Sequence, residues 1–146
     1  MYKLADTGTF TGTVKVALQA DSSGSPDGSD LASRTLTNAE WLALAVGDNE
    51  IAFSSEYTSM VCLPATTYWL VVTISTSDNS NHPNLGFNTA GGYANGTLKY
   101  NNTSDGWVEI AGDDLYFKTL EGNNNQLITA NASGKMESRF YDVTEM

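Results

Sequence analysis

The chain has 146 residues and a mass of 15.6 kDa, which is enough for one ordinary hydrophobic core. Its 17 acidic and 7 basic residues give a formal net charge of -10, which disfavours contact with nucleic-acid phosphates and with anionic membrane surfaces. There is no run of about 18 apolar residues and no apolar stretch after Met1, so we expect neither membrane insertion nor a signal peptide.

The first predicted strand spans residues 12–20, where Val14, Val16 and Leu18 alternate with more polar neighbours. This period of two is typical of a strand with one buried face. Residues 21–30 contain only Asp, Ser, Gly and Pro, which predicts a loop. A short strand is expected to follow at residues 31–36.

Residues 37–46 fit two structures. Thr37 followed by Glu40 three positions later is typical of a capping box at the start of a helix. The alternation of apolar residues from Trp41 onward suits a strand buried on both faces. We favour the strand, because its predicted neighbours are strands and residues 47–49 indicate a tight turn.

The strongest predicted strand covers residues 68–75, which are aromatic and β-branched, and we expect it to be central in the sandwich. A polar loop at 77–84 follows. The later strands are expected at residues 97–100, 107–110 and 115–120, with hairpin-type Asn-Gly and Asp-Gly dipeptides before the first two, and then at 126–130 and 136–143. The predicted core consists of Val14, Val16, Leu18, Trp69, Val71, Leu115 and Phe117.

These elements predict an all-β fold, an antiparallel β-sandwich of jelly-roll type with a C-terminal strand or arm. We place the sandwich domain at residues 1–122. Residues 123–146 follow a Gly-Asn-Asn-Asn hinge and hold few apolar side chains, so we predict a strand or arm there that can reach a neighbouring subunit.

Several segments together form a recognisable pattern. They are residues 12–21, Gly24-Ser25-Pro26-Asp27-Gly28, the strand at 66–72, Gly92-Tyr93-Ala94, Trp107 and the closing Gly-Asp-Asp-Leu-Tyr-Phe at 112–117. Over roughly residues 10–120 the chain resembles a jelly-roll-like β-sandwich module of phage virion proteins and large bacterial extracellular proteins. The resemblance implies a non-catalytic surface module. The Gln-x-Phe strand that usually opens the family is absent before Val14, which implies a short sheet edge that the tail or a neighbouring chain fills.

One candidate metal site is the acidic segment that contains Asp21, Asp27 and Asp30. Carboxylates and hydroxyls in one loop can form an oxygen cage for a structural Ca²⁺ ion. The alternative, a solvated acidic turn, is the one we favour. Asp113 with Asp114 is a second candidate of the same kind, and we expect no other cofactor.

A candidate glycan site combines aromatic rings with interleaved amides, because sugar rings stack on flat aromatics and hydroxyls bond to amide groups. The alternative is that the rings fill the sandwich core. The candidate residues are Tyr93, Tyr100, Trp107, Asn88 and Asn95, with Asn101 and Asn102 nearby.

The sequence offers little for catalysis, and we assign no catalytic residue. His82 is the single histidine, and Cys62 lies in an apolar run that predicts burial rather than reactivity. Glu109 and Asp113 could form a carboxylate pair for glycoside hydrolysis, but a chain with 17 acids offers many such pairs. We therefore expect no enzyme.

The leading hypothesis is a structural protein on the exterior of a phage virion, such as a decoration or fibre protein. Its partners would be copies of itself or other virion proteins, and its location the virion surface. One alternative is an extracellular carbohydrate-binding module or adhesin that binds glycan. Another is a subunit of a prokaryotic extracellular filament.

Overall fold

The computed structural model describes residues 1–53, 62–63, 65–88, 97–102 and 105–115, together with the backbone of residues 126–130 and 136–140. Across these residues the secondary structure is mostly β-strand, every strand pair is antiparallel, and one short helix is present. The all-β class is therefore confirmed. The chain divides into two compact units, Met1–Met60 with Tyr68–Gly86 and Val61–Thr67 with Phe87–Met146.

Each unit contains its own strand pairs. In the first unit the elements are β1 (Tyr2–Lys3), β2 (Val14–Ser22), β3 (Ser25–Leu36), α1 (Asn38–Ala43), β4 (Gly47–Asp48) and β5 (Tyr68–Ile74). In the second unit they are β6 (Phe87–Asn88), β7 (Leu98–Asn102), β8 (Gly106–Ile110), β9 (Asp114–Leu115), β10 (Gln126–Ala130) and β11 (Met136–Phe140). No helix in the described part of the chain is long and apolar enough to cross a membrane.

The main sheet of the first unit has the strand order β3-β2-β5. Its middle strand is β2, whose Val14, Val16 and Leu18 are buried as predicted. Ala17 and Gln19 on the opposite face are buried too, in a strand that is hydrogen-bonded to a neighbour on each side. The strand predicted at 68–75 is β5, which pairs with β2 alone among the described strands and so lies at the edge of this sheet. Its central place in a sandwich stays a prediction.

The predicted loop at residues 21–30 was wrong, because β2 and β3 continue through it as a hairpin. Ser22 pairs with Ser25, and the two residues between them, Ser23 and Gly24, have φ angles of 54° and 82°. Positive φ at both central positions matches the right-handed twist of the flanking strands. A polar composition thus produced an exposed hairpin tip, with register shifts around Gln19.

The strand favoured at residues 37–46 was also wrong, because α1 forms there. The Thr37 hydroxyl accepts a hydrogen bond from the Glu40 backbone N–H at 3.3 Å, and the Glu40 carboxylate accepts one from the Thr37 N–H at 2.7 Å. This capping box satisfies the first N–H groups of the helix and outweighs the alternation. The tight turn was predicted at residues 47–49, where the structure instead has the short strand β4, which pairs with β1.

The core of the first unit includes two aromatic residues that the sequence analysis missed. Phe10 and Trp41 are fully buried beside Val14 and Leu36. Trp69 was wrongly placed in the core. It is half-buried, and its position opposite Gln19 puts it on the other face of the sheet from Val14. The remaining hydrophobic residues packed against this core are Met1, Leu44, Ile51, Val72, Ile74 and Leu85.

In the second unit β7 and β8 form a hairpin that confirms the strands predicted at 97–100 and 107–110. Gly106 has a φ of 70° and ends the predicted Asp-Gly turn. The strands β10 and β11 form another hairpin and confirm strand structure in the tail. Leu115 of the predicted core is half-buried, and Phe117 lies outside the described residues.

Candidate functional site

The three candidate calcium ligands lie in the hairpin of β2 and β3. The two oxygens of Asp21 accept hydrogen bonds from Trp69 Nε1 at 2.7 Å and from the Gly24 N–H at 3.1 Å. Asp27 Oδ1 accepts one from the Ser29 N–H at 2.9 Å. These bonds hold the hairpin tip in shape.

The third candidate, Asp30, lies opposite Gln19. Its Oδ1 accepts a hydrogen bond from Gln19 Nε2 at 2.9 Å, and its Oδ2 forms an ion pair with Lys15. The hydrogen bond from Lys15 is the main cause that lowers the pKa of the Asp30 carboxyl. Searching the described residues finds no three His, Cys, Asp or Glu residues placed to share a metal ion, so a calcium site stays a prediction.

The candidate glycan residues fall in different places. The backbone register pairs Tyr100 with Val108 and Asn101 with Trp107. Since neighbours along a strand point to opposite faces, Tyr100 and Trp107 lie on opposite faces of the hairpin. They cannot form one flat platform. Tyr100 is 47% exposed and Trp107 is half-buried.

The remaining glycan and acidic candidates add no shared site in the described residues. Asn88 of β6 pairs with Asp114 of β9, while Tyr93 and Asn95 lie outside the described residues. The Asp113 backbone accepts from the Leu98 N–H at 3.2 Å and donates to the Ile110 carbonyl at 3.4 Å. Asp113 therefore helps to join the hairpin of β7 and β8 to the start of β9.

The two residues considered for nucleophilic chemistry have structural surroundings. Cys62 is buried, as its apolar context predicted. His82 Nδ1 lies 2.9 Å from the carbonyl oxygen of Asp78, and the His82 backbone exchanges hydrogen bonds with Thr7 in both directions. This histidine therefore ties the N-terminal segment to the loop after β5.

A buried polar network went unpredicted. Lys3 is 4% exposed, and its Nζ forms an ion pair with Asp6 Oδ2 at 3.2 Å and lies 5.1 Å from the centre of the Trp41 ring. Trp41 Nε1 donates to Asp6 Oδ1 at 2.9 Å. The capping box is the one sequence signal that bears on this network, because it fixes the helix that carries Trp41.

An exposed apolar surface also went unpredicted. Leu4, Leu42 and Val46 are 38%, 52% and 62% exposed, and Ala43 and Ala45 between them are exposed as well. We call these five residues the neutral patch, since none is charged. The Leu-Ala-Leu-Ala-Val run was visible in the sequence, but its alternation was interpreted as burial on both faces. The comparisons with protein families, with curated proteins and with solved structures each found no match to this chain.

Proposed function

We propose that this protein is a non-enzymatic structural component of a phage virion exterior, a decoration, fibre or similar protein with a jelly-roll-like β-sandwich. It works by binding copies of itself or a neighbouring virion subunit. The observation that carries the proposal is the use of carboxylates in the first unit. They serve as acceptors that hold turns, a helix cap and ion pairs, namely Asp6, Asp21, Asp27, Asp30, Glu40 and Asp78.

The electrostatics of these carboxylates suit a scaffold better than an active site. A general acid or base works best with a pKa near the working pH. Here the pKa values of Asp30, Glu40 and Asp78 are lowered, chiefly by hydrogen bonds from Lys15, from the Thr37 backbone and from the Ser80 backbone respectively. Carboxylates of this kind stay ionised and hold structure rather than exchange protons.

The charge of the chain also suits a particle on which many copies lie close together. A net charge of -10 keeps many copies soluble and mutually repelling. The neutral patch is a place where such a chain can be contacted without bringing like charges together. The acidity of the chain and a neutral area among the described residues together favour association through a defined surface.

The direct test is to label intact phage particles from the producing lysate with a gold-conjugated antibody raised against the purified chain. We expect gold on the particle exterior, and capsid or tail genes beside the coding sequence. Control particles from a phage that lacks the gene should stay unlabelled. If the chain does not co-purify with particles and no gold binds them, the virion proposal is overturned.

A second candidate function, glycan binding, is favoured by one observation. Tyr100 is 47% exposed on the hairpin of β7 and β8, and a sugar ring can stack on an exposed aromatic side chain of this kind. A glycan array with wild-type chain and a Tyr100→Ala variant tests it. Binding that the variant loses would support an extracellular carbohydrate-binding module or adhesin. Long fibres formed by the purified chain alone would instead support a filament subunit.

A further inference from the structure

We infer that the outer edge of β5 binds the same edge of a second copy, so that the sheet β3-β2-β5 continues across a two-fold axis into the sheet of its partner. The inference rests on the proposed function, because it names a surface, other than the neutral patch, through which two copies associate. Three observations on β5 carry it: the direction of its backbone groups, the burial of its side chains and its lack of charge.

The hydrogen bonds at the end of the ladder between β2 and β5 show which backbone groups of β5 point outward. The Ser75 N–H donates to the Thr13 carbonyl at 3.0 Å, and the Thr13 N–H donates to Ser75 Oγ at 2.8 Å. Successive pairs of an antiparallel ladder alternate between bonded pairs and pairs whose backbone groups point away. The N–H and C=O groups of Leu70, Val72 and Ile74 therefore point away from β2. No strand in the described part of the chain pairs with this edge.

The burial of side chains shows that the core is closed toward β3 and open toward β5. Val14 and Leu18 of the middle strand are 0% and 6% exposed. Their neighbours on β3, Leu36 and Ala32, are 7% and 1% exposed. The residues of β5 that lie opposite the same row are only half-buried, namely Leu70, Val72 and Ile74. A further strand beside β5 would cover the rest of these apolar side chains.

The two edges of the sheet differ in their protection against strand addition. Natural proteins protect sheet edges with charges, prolines and bulges. The edge strand β3 has all three, with register shifts around Gln19 and with Pro26, Asp27, Asp30 and Arg34. The sequence of β5 is Tyr-Trp-Leu-Val-Val-Thr-Ile, with no charge, no proline and no register shift against β2. Of the two edges, β5 is therefore the one suited to accept a strand.

Charge favours a second copy of β5 as the strand that is added. Two chains of net charge -10 repel each other unless their contact is free of charge. Residues 57–77, which include β5, contain no Asp, Glu, Lys or Arg. Among the described strands of five or more residues, the other uncharged one is β10, which pairs with β11. Pairing β5 with β5 uses the outward backbone groups of both copies in one contact.

The outward groups also set the register of this contact. In an antiparallel arrangement, Leu70 of each copy lies opposite Ile74 of the other, and the two Val72 residues lie opposite each other at the axis. Each of these pairs exchanges two main-chain hydrogen bonds. Since paired residues lie on the same face, the half-buried row of one copy continues into that of the other. The contact uses the same surface twice, so it closes as a dimer.

The test compares full-length chains with one added charge on either neighbour of β2. Thr73 of β5 and Thr35 of β3 both lie opposite Lys15, and both are exposed. Thr73→Glu places a carboxylate in the proposed contact, and Thr35→Glu is the matched control on the other edge. Sedimentation and light scattering over a range of concentrations measure the mass in solution. We expect a dimer for the wild type and the control, and a dissociation constant raised about tenfold or more for Thr73→Glu.

Amide hydrogen exchange measures the main-chain contact without any substitution. In the wild-type dimer, the N–H groups of Leu70, Val72 and Ile74 should exchange slowly, and dilution to the monomer should speed their exchange by about tenfold or more. The Thr35 N–H points outward from β3 by the same alternation and should exchange fast in both states. This measurement keeps the inference testable if Thr73→Glu fails to fold.

Four outcomes overturn the inference. A wild-type chain that is monomeric at every concentration removes self-association. A dimer weakened by Thr35→Glu instead of Thr73→Glu uses the edge of β3, and a dimer weakened by neither uses another surface, such as the neutral patch. Slow exchange at Leu70 and Val72 in a monomer shows that a strand of the same chain covers the edge. Gold labelling of particles would in each case still support the virion role, so the two proposals fail separately.

Discussion

The indole N–H of Trp41, a residue with no exposed surface, donates a hydrogen bond of 2.9 Å to Oδ1 of Asp6. The other oxygen of the same carboxylate forms the ion pair with Lys3. A buried charge is tolerated only when it is paired and hydrogen-bonded, and here each member of the network has a partner. The N-terminal strand and α1 are thereby joined by directional bonds as well as by packing.

Trp41→Phe should destabilise the protein by about 2 kcal/mol, because the Asp6 carboxylate loses a buried donor while most of the ring volume is kept. Urea unfolding measures the change. Trp69→Phe is the matched control, since it removes an indole bond to Asp21 at an exposed site and should cost less than about 1 kcal/mol. Equal losses in the two variants would contradict the structural role of the buried bond.

Lys3→Met should cost about 3 kcal/mol, because it removes the positive charge but keeps the apolar stem, and leaves the Asp6 carboxylate without its counter-ion. The double variant Lys3→Met with Asp6→Leu should lose less than the two single variants together. The coupling energy is obtained from the four unfolding curves. Strict additivity would show that the two charges do not interact.

The fold was predictable where one signal dominated and was mispredicted where two competed. The alternation from Val14 to Leu18 correctly predicted a strand with Val14, Val16 and Leu18 buried, although Ala17 on the opposite face is buried as well. From Trp41 onward a similar alternation favoured a strand, whereas the capping box at Thr37 favoured a helix. The hydrogen bonds of the capping box prevailed, and a helix forms. At Ser23 and Gly24 a polar segment was taken for a loop, since composition alone does not reveal a two-residue turn.

Ser23→Asn should stabilise the protein by about 0.5–1 kcal/mol, because Asn accepts the positive φ of this turn more readily than Ser. Thermal unfolding is the measurement. Gly24→Ala should instead destabilise the protein by about 1–2 kcal/mol, because alanine is strained at the positive φ of this position. No steric clash adds to this loss, since a Cβ here meets no atom within 4 Å. A destabilised Ser23→Asn variant would contradict the turn.

The candidate sites were less predictable than the fold, for a geometric reason. The acids of residues 21–30 all lie in the hairpin of β2 and β3, since a short segment keeps its members close in the chain. Which groups bond to Asp21 and Asp30 depended on Trp69 and Lys15. Trp69 reaches Asp21 only after β5 pairs with β2, and Lys15 reaches Asp30 only after β2 pairs with β3. Likewise the faces of Tyr100 and Trp107 follow from the strand register, which the order of residues does not reveal.

Acidification should weaken the fold, and Asp30 should contribute to the loss. Its pKa is lowered in the folded chain, mainly by the hydrogen bond from Lys15, and lies at an ordinary value of about 3.9 when unfolded. The folded state therefore binds fewer protons, so this stabilisation is present above about pH 4 and is lost as the pH falls through the lowered folded value.

Melting temperatures measured from pH 7 down to pH 2.5 test this dependence. Asp30→Asn should be less stable than the wild type at pH 7 and should lose less on acidification. Glu50→Gln, at an exposed position, controls for the change in net charge. Parallel pH profiles for the wild type and Asp30→Asn would show that the contact with Lys15 does not contribute.

Addition of calcium should leave the melting temperature unchanged. A Ca²⁺ ion needs six to eight oxygen ligands, and the candidate carboxylates already accept protein hydrogen bonds. Asp21 is bonded to Trp69 and Gly24, Asp27 to Ser29, and Asp30 to Gln19 and Lys15. A bound ion would compete with these donors for the same carboxylate oxygens, and its charge would oppose the nearby Lys15 ammonium. The comparison is between a chelator and millimolar Ca²⁺, with Mg²⁺ as the matched cation. A rise specific to Ca²⁺ that Asp27→Asn abolishes would contradict this expectation, because only a ligand bound to the folded state stabilises it by mass action.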